Sequence, residues 1–92
     1  MSTNFDERVN KLANKYYISH LTKNMSSDEL YSFVCKYFLG QDRVDVSQWS
    51  DVRFEQELIE TLGYSATFLQ DEDKFEVFSL MREKAQELKE RE

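Results

Sequence analysis

Proline is absent from this sequence of 92 residues, and glycine occurs only twice. Such a composition is poor in turns and rich in helix formers, so it favours a helical fold. The single cysteine excludes an internal disulfide bond and suits a reducing compartment.

Long apolar runs and targeting signals are also missing. No apolar run approaches the roughly 20 residues that a bilayer-spanning helix needs. The N-terminus lacks a basic region followed by an apolar run, and Ser2 stands where N-myristoylation requires glycine. We therefore expect a cytoplasmic protein without a membrane span or a signal peptide.

Residues for metal binding or covalent catalysis are scarce. One histidine, His20, and one cysteine, Cys35, cannot form a zinc site. The aspartates of residues 42–51 suggest calcium, but registers that start at Asp42 or Asp45 do not match the ligand and glycine positions of an EF-hand. A G-x-S-x-G elbow and a glycine-rich phosphate loop are both missing from the sequence. We expect no enzyme activity, no metal and no cofactor.

The net charge of −6 is distributed unevenly along the chain. Residues 1–46 contain six acidic and six basic side chains, whereas residues 47–92 contain twelve acidic and six basic ones. The acidic excess therefore lies entirely in the second half. Such a surface repels nucleic acid and membranes and favours a basic protein partner, although the same charge also serves ordinary solubility.

Apolar periodicity predicts a helix in each of four segments. The first helix starts at Asn4 and carries a basic stripe, which we interpret as a solvated face. The second starts with a capping box of Ser26 and Glu29 and ends at Gly40. Because the second helix is apolar almost all the way round, it is predicted to be the most buried. The basic stripe of the first helix consists of Arg8, Lys11 and Lys15.

The third and fourth predicted helices carry most of the acidic excess. The third spans roughly residues 52–62, and Tyr64 is predicted to fold back on Ile59 behind its end. The fourth starts at a capping box near Thr67 or later, near Asp71, and runs toward the C-terminus. Its predicted apolar stripe consists of Phe75, Phe78, Met81, Ala85 and Leu88.

Together these segments predict an all-α fold. We expect a compact bundle of about four helices in a single domain, residues 1–92, with an extended connection between the second and third helices. In that connection Val44 and Val46 alternate with polar residues, which predicts that both valines lie on the core. Trp49 follows them, and two interpretations of it stay open: packing at the end of the bundle, or contact with a partner.

A partner surface is predicted on the acidic side of the third and fourth helices and at the aromatic residues beside their ends. Phe68 and Leu69 stand side by side before an acidic cluster, so one of them is expected at the surface. The candidate partner-binding residues are Trp49, Tyr64, Phe68, Leu69, Asp71, Glu72, Asp73 and Glu76.

Small acidic helical domains without catalytic groups generally act by binding another protein. By analogy of size and charge with immunity proteins, anti-sigma factors and phage-encoded inhibitors, we expect a stoichiometric regulator or inhibitor of a larger protein. That partner would have a basic surface or handle nucleic acid. Two alternatives stay open: a nucleic-acid-binding domain that uses the basic stripe of the first helix, and a structural homodimer subunit. The acidic helices make nucleic acid the weaker candidate.

Overall fold

The structure, a computed structural model, is described for residues 2–91, with side chains from residue 5 onwards. It is 77% helical, and no strand occurs among the described residues, which confirms the all-α prediction. Its helices are α1 Ser2–Lys15, α2 Ser19–Thr22, α3 Ser27–Leu39, α4 Asp51–Leu62 and α5 Asp71–Arg91, with a 3₁₀ helix at Gly63–Phe68. The radius of gyration is 12.4 Å, close to the ~12 Å expected for a compact chain of this length. Within residues 2–91, no helix combines the length and the apolar character needed to cross a membrane.

Capping signals that were predicted from the sequence define both ends of α3, and a serine cap defines the start of α4. Ser26 Oγ accepts from Glu29 N at 3.3 Å, and Glu29 Oε1 accepts from Ser26 N at 2.9 Å, which is the predicted capping box. Gly40 ends α3 in the left-handed conformation, with φ at 72°. α4 begins immediately after its N-cap residue Ser50, whose Oγ accepts a hydrogen bond from Arg53 N at 3.1 Å.

The starts of the first and last helices refine the prediction. α1 already begins at Ser2, so Asn4 lies inside the helix rather than at its cap. α5 begins at Asp71, the later of the two predicted starts. Thr67 Oγ1 donates to Tyr64 O at 2.8 Å within the 3₁₀ helix and does not cap α5.

The end of α1 is a Schellman motif with tyrosine in the place of glycine. Tyr17 has a left-handed φ of 62° and is the one non-glycine residue with positive φ in the described part of the chain. Tyr17 N donates to Asn14 O at 3.3 Å, and Ile18 N donates to Ala13 O at 2.8 Å. The left-handed conformation is costly for a residue that has a Cβ atom. It turns the chain into the short helix α2, which was not predicted.

The core lies where α3 meets α1, α4 and α5. As predicted, α3 is the central helix, because it packs against all three of the other long helices and buries side chains on most of its faces. The buried residues of α3 are Leu30, Tyr31, Val34, Cys35, Phe38 and Leu39.

The connection between α3 and α4 is held to the core by its two valines. Val44 and Val46 are buried, as predicted, and the hydroxyl of Tyr31 donates to Val44 O at 2.7 Å. Asp45, between the valines, lies at the surface and forms an ion pair with Lys89 of α5 at 3.0 Å. The segment therefore lines the bundle, with its polar side chains pointing outward.

α5 buries most of the predicted apolar stripe, but its buried face is turned away from Phe75 and toward Lys84. Phe78, Met81 and Ala85 are buried and Leu88 is half-buried, as predicted. Phe75 was predicted in the apolar stripe, but it is 64% exposed, whereas Lys84 is only 2% exposed. Lys84 Nζ donates to Ser27 Oγ at 3.1 Å, lies 3.7 Å from Glu87 Oε1 and sits 5.3 Å from the ring centroid of Phe5. These contacts compensate the buried ammonium group. The buried residues of α5 are Asp73, Val77, Phe78, Leu80, Met81, Lys84 and Ala85.

Candidate protein-binding surface

Part of the predicted acidic cluster at the start of α5 is used inside the molecule. Arg8 of α1 donates to Glu76 through two nitrogens, Nη2 to Oε1 at 2.7 Å and Nε to Oε2 at 3.0 Å. Its Nη1 also donates to Glu83 Oε2 at 3.0 Å. Such a bidentate pair between a guanidinium and a carboxylate is among the stronger charged hydrogen bonds. The hydrogen bonds to the two carboxylates raise the pKa of Arg8, and the guanidinium of Arg8 lowers the pKa of both Glu76 and Glu83.

A second group of contacts joins the same two helices. Asp73 is 6% exposed, accepts a hydrogen bond from the hydroxyl of Tyr16, and lies 2.9 Å from Lys15 Nζ. Burial acts to raise the pKa of Asp73, but the hydrogen bonds from Tyr16 and Lys15 outweigh it, so the pKa lies below its ordinary value. We call these contacts, together with those of Arg8, the α1–α5 seam.

The acidic cluster is therefore divided between two environments. The side chains of Asp71 and Glu72 are 92% and 77% exposed, although Glu72 Oε1 still lies 3.6 Å from Lys15 Nζ. Asp73 and Glu76 are more deeply buried in the seam, with side chains 8% and 37% exposed. The interpretation of the basic stripe on α1 as a solvated face is wrong for Arg8, whose side chain is only 19% exposed. Sequence reasoning missed this pairing because the paired residues lie more than 55 positions apart.

The outer face of α4 carries acidic side chains. Within residues 5–91, none of its four carboxylates has a basic group at ion-pair distance, and the helix has a net charge of −3. Val52 and Ile59 are exposed beside them, at 66% and 46%. The signal for this surface was present in the sequence, since Val52 and Ile59 are seven residues apart on one helix face. The four acidic residues are Asp51, Glu55, Glu57 and Glu60.

Exposed aromatic residues follow α4 in the 3₁₀ helix. Tyr64 and Phe68 are 80% and 69% exposed, and their rings meet edge to face with centroids 5.7 Å apart. The prediction that Tyr64 folds back on Ile59 is therefore wrong, because Tyr64 projects from the surface and packs on Phe68 instead. Leu69 is half-buried against the core, so Phe68 is the exposed member of the predicted pair.

Beside Phe68 lies an apolar cleft of about 190 Å³, between α1, α3 and the 3₁₀ helix. We call it the apolar cleft. Phe68 and Leu69 form one wall, and Tyr16, whose hydroxyl belongs to the seam, lines another part. Ser65 contributes one of the few polar groups. The remaining lining residues are Val9, Leu12, Ala13, Ile18, Phe33, Val34, Tyr37, Phe38, Leu62, Val77 and Leu80.

Trp49 belongs mainly to the packing of the bundle. It is half-buried against the core, and the guanidinium of Arg53 lies 4.2 Å above the centroid of its ring. A core contact on one side and a cation on another leave little of the ring for a partner. The structure thus separates Trp49 from the other candidate aromatic residues, Tyr64 and Phe68.

These surfaces combine exposed apolar side chains with unbalanced negative charge. Cys35 is fully buried, and burial raises the pKa of its thiol, which disfavours the reactive thiolate. Within the described residues, no group of three or more His, Cys, Asp or Glu side chains is arranged to hold a metal ion. No family model matches this chain, and no curated protein or solved structure is significantly similar to it.

Proposed function

We propose that this chain is a small acidic protein-interaction domain that acts as a stoichiometric regulator or inhibitor. Its partner is a larger protein with a basic surface, such as one that handles nucleic acid. The observation that carries the proposal is Phe68, a large apolar side chain 69% exposed at the edge of the apolar cleft. Exposed aromatic residues beside a recess are typical anchors of protein interfaces.

The cleft has the size of one large apolar side chain. Its volume is about 190 Å³, and a cavity of about 150 Å³ in another protein holds a benzene molecule. A leucine or phenylalanine side chain of a partner would fit there and would cover Phe68. Full burial of such a side chain contributes about 1.5–3 kcal/mol.

Charge supports a basic partner for this surface. Residues 51–75 contain seven acidic side chains against Arg53 and Lys74, a net charge of −5 out of −6 for the whole chain. Five of the eight large hydrophobic side chains exposed in the described part of the chain lie in the same segment. A complementary positive surface would be steered toward it and would raise the association rate.

The two alternatives are less well supported. A nucleic-acid site on α1 would need its basic residues at the surface, but Arg8 and Lys15 are engaged in the seam. Within residues 5–91, Lys11 is then the one cation of the predicted stripe that forms no ion pair, and a single free cation is too little for phosphate neutralisation. A homodimer would use the same exposed aromatic residues, so experiment must separate it from binding to another protein.

Affinity capture with a matched pair of variants tests the proposal. Wild-type protein and Phe68→Asp are immobilised and incubated with a lysate of the native host cell, and Leu21→Asp serves as the control. Leu21 is an exposed apolar residue of α2, at 47%, that lies outside residues 51–75 and does not line the cleft. Wild type and Leu21→Asp should retain the same protein, and Phe68→Asp should lose it, because a carboxylate at the cleft opposes an apolar contact.

The captured protein is then purified and titrated with wild type by calorimetry, where a fixed one-to-one stoichiometry is expected. Equal capture by wild type and Phe68→Asp would overturn the proposal. A dimer in light scattering that Phe68→Asp dissociates would assign the cleft to a second copy. A mobility shift of nucleic acid by the protein alone would favour the other alternative.

A further inference from the structure

A second recess, which we call the α4–α5 groove, lies on the acidic side of the molecule. It has a volume of about 270 Å³. The rings of Phe54 and Phe78 stack at its base, with centroids 4.4 Å apart and planes inclined by 18°. Both rings are buried, whereas Phe75, which also lines the groove, is 64% exposed. The groove thus has an apolar floor and one open aromatic wall.

The rim of the groove is negatively charged. Three carboxylates, those of Asp51, Glu55 and Asp71, line it together with a single cation, Lys74. Lys74 is 3.9 Å from Asp71, at the outer limit of an ion pair. Within residues 5–91, no ion pair involves Asp51 or Glu55. A ligand of this groove would therefore need apolar surface and positive charge in the same group.

The molecule itself shows which group satisfies both needs. The guanidinium of Arg82 lies 5.1 Å from the ring centroid of Phe78, and that of Arg53 lies 4.2 Å from the ring centroid of Trp49. Within the described residues, no cation lies over the ring of Phe75. Guanidinium groups are planar and weakly hydrated, so they stack on aromatic faces more readily than ammonium groups.

We propose that the α4–α5 groove holds an arginine side chain of the basic partner, with its guanidinium stacked on Phe75 and paired with Asp51, Glu55 or Asp71. The stem of the arginine would lie on the apolar floor. This inference rests on the proposed function and specifies the partner's chemistry at a second contact, separate from the apolar cleft. It also gives a role to Phe75, an aromatic side chain that the packing of α5 leaves outside.

Titration of the isotope-labelled protein with a blocked triarginine peptide, followed by NMR, tests the groove directly. We expect saturable shifts of the backbone amides at residues 51, 55, 71 and 75. Phe75→Leu keeps the apolar volume but removes the aromatic face, so it should weaken binding about two- to five-fold. Phe68→Leu changes an equally exposed phenylalanine outside the groove and should leave the affinity unchanged. A neutral tricitrulline peptide should produce no saturable shift.

Several results would overturn the inference. Phe75→Leu could bind triarginine as tightly as wild type, or the shifts could spread over all acidic residues without saturation. A dimer in light scattering, with the groove residues at its interface, would assign the groove to a second copy. The outcome is independent of the capture experiment, which depends on Phe68. Lost capture in Phe68→Asp without shifts in the groove would leave the proposed function standing and would overturn only the arginine site.

Discussion

In the α1–α5 seam, acidic side chains of α5 lie against cations of α1. The acidic side chains of α4 lie instead against solvent and exposed apolar residues. Glu76 and Asp73 illustrate the first case, with contacts of 2.7 Å and 2.9 Å to Arg8 and Lys15. Glu55 illustrates the second, because no ion pair involves it within residues 5–91.

The acidic residues of the second half of the chain therefore have two different structural roles. In the seam, the charges are partly buried, and they join two helices that are far apart in the sequence. On α4, the same residue type contributes little to folding and gives the surface its sign. Net charge alone could not distinguish these uses, because it counts paired and unpaired carboxylates alike.

The largest expected effect concerns Lys84, on the buried side of α5. Lys84→Ala should lower the free energy of unfolding by about 2–4 kcal/mol, because it leaves a cavity where a fully packed stem lies. Lys84→Met fills the same space without a buried ammonium, so it should change stability by less than about 1.5 kcal/mol. Urea unfolding followed by the fluorescence of Trp49 measures both.

Arg82→Ala is the control for Lys84. Arg82 stands two positions away on α5 and is exposed, so its removal should cost less than about 1 kcal/mol. A loss in Lys84→Met as large as that in Lys84→Ala would show that the ammonium, and not the packed stem, stabilises this site.

An intermediate loss of stability is expected when the pH is lowered far enough to protonate the carboxylates of the α1–α5 seam. The pKa of Asp73, Glu76 and Glu83 is lowered in the folded protein, so their stabilisation is fully present above their unfolded pKa, near 4. It is lost as the pH falls through the folded pKa. Asp73→Asn should cost about 1 kcal/mol at pH 7, and this difference should shrink below about pH 4. Urea unfolding at pH 7, 4 and 3 checks this, and parallel pH curves for both proteins would contradict it.

The smallest effect is expected on α4. The triple variant Glu55→Gln, Glu57→Gln, Glu60→Gln should change stability by less than about 0.5 kcal/mol, in the stabilising direction, because it removes repulsion between like charges. The matched change in the seam, Glu76→Gln with Glu83→Gln, should destabilise by about 1 kcal/mol. Thermal unfolding of the two variants measures the comparison, and equal losses in both would erase the distinction between the two surfaces.

Local signals in the sequence predicted the parts of the fold that depend on neighbouring residues. The capping box at Ser26, the left-handed end at Gly40 and the buried Val44 and Val46 all follow from patterns within a few positions. The left-handed conformation of Tyr17 was not predicted, because positive φ is normally expected at glycine and not at tyrosine.

Part of the candidate site was also predictable. Phe68 was predicted to be a surface anchor candidate, and it lies exposed at the apolar cleft. Asp73 was placed in the same site, but it is buried against Tyr16. Phe75 was assigned to the core, but it is exposed at the α4–α5 groove. Both errors concern which side of α5 faces the core. The apolar pattern of α5 does not define that side uniquely, because Lys84 stands on the buried face where an apolar residue would be expected.

The sequence by itself determined an all-α chain, four long helices, the central position of α3 and an acidic second half. These properties depend on composition, periodicity and caps, which act over one or two helical turns. Only the tertiary structure decided which carboxylates meet Arg8 and Lys15, which face of α5 is buried, and where the two recesses open. Those properties depend on how helices far apart in the chain are turned toward one another, and no local pattern records that rotation.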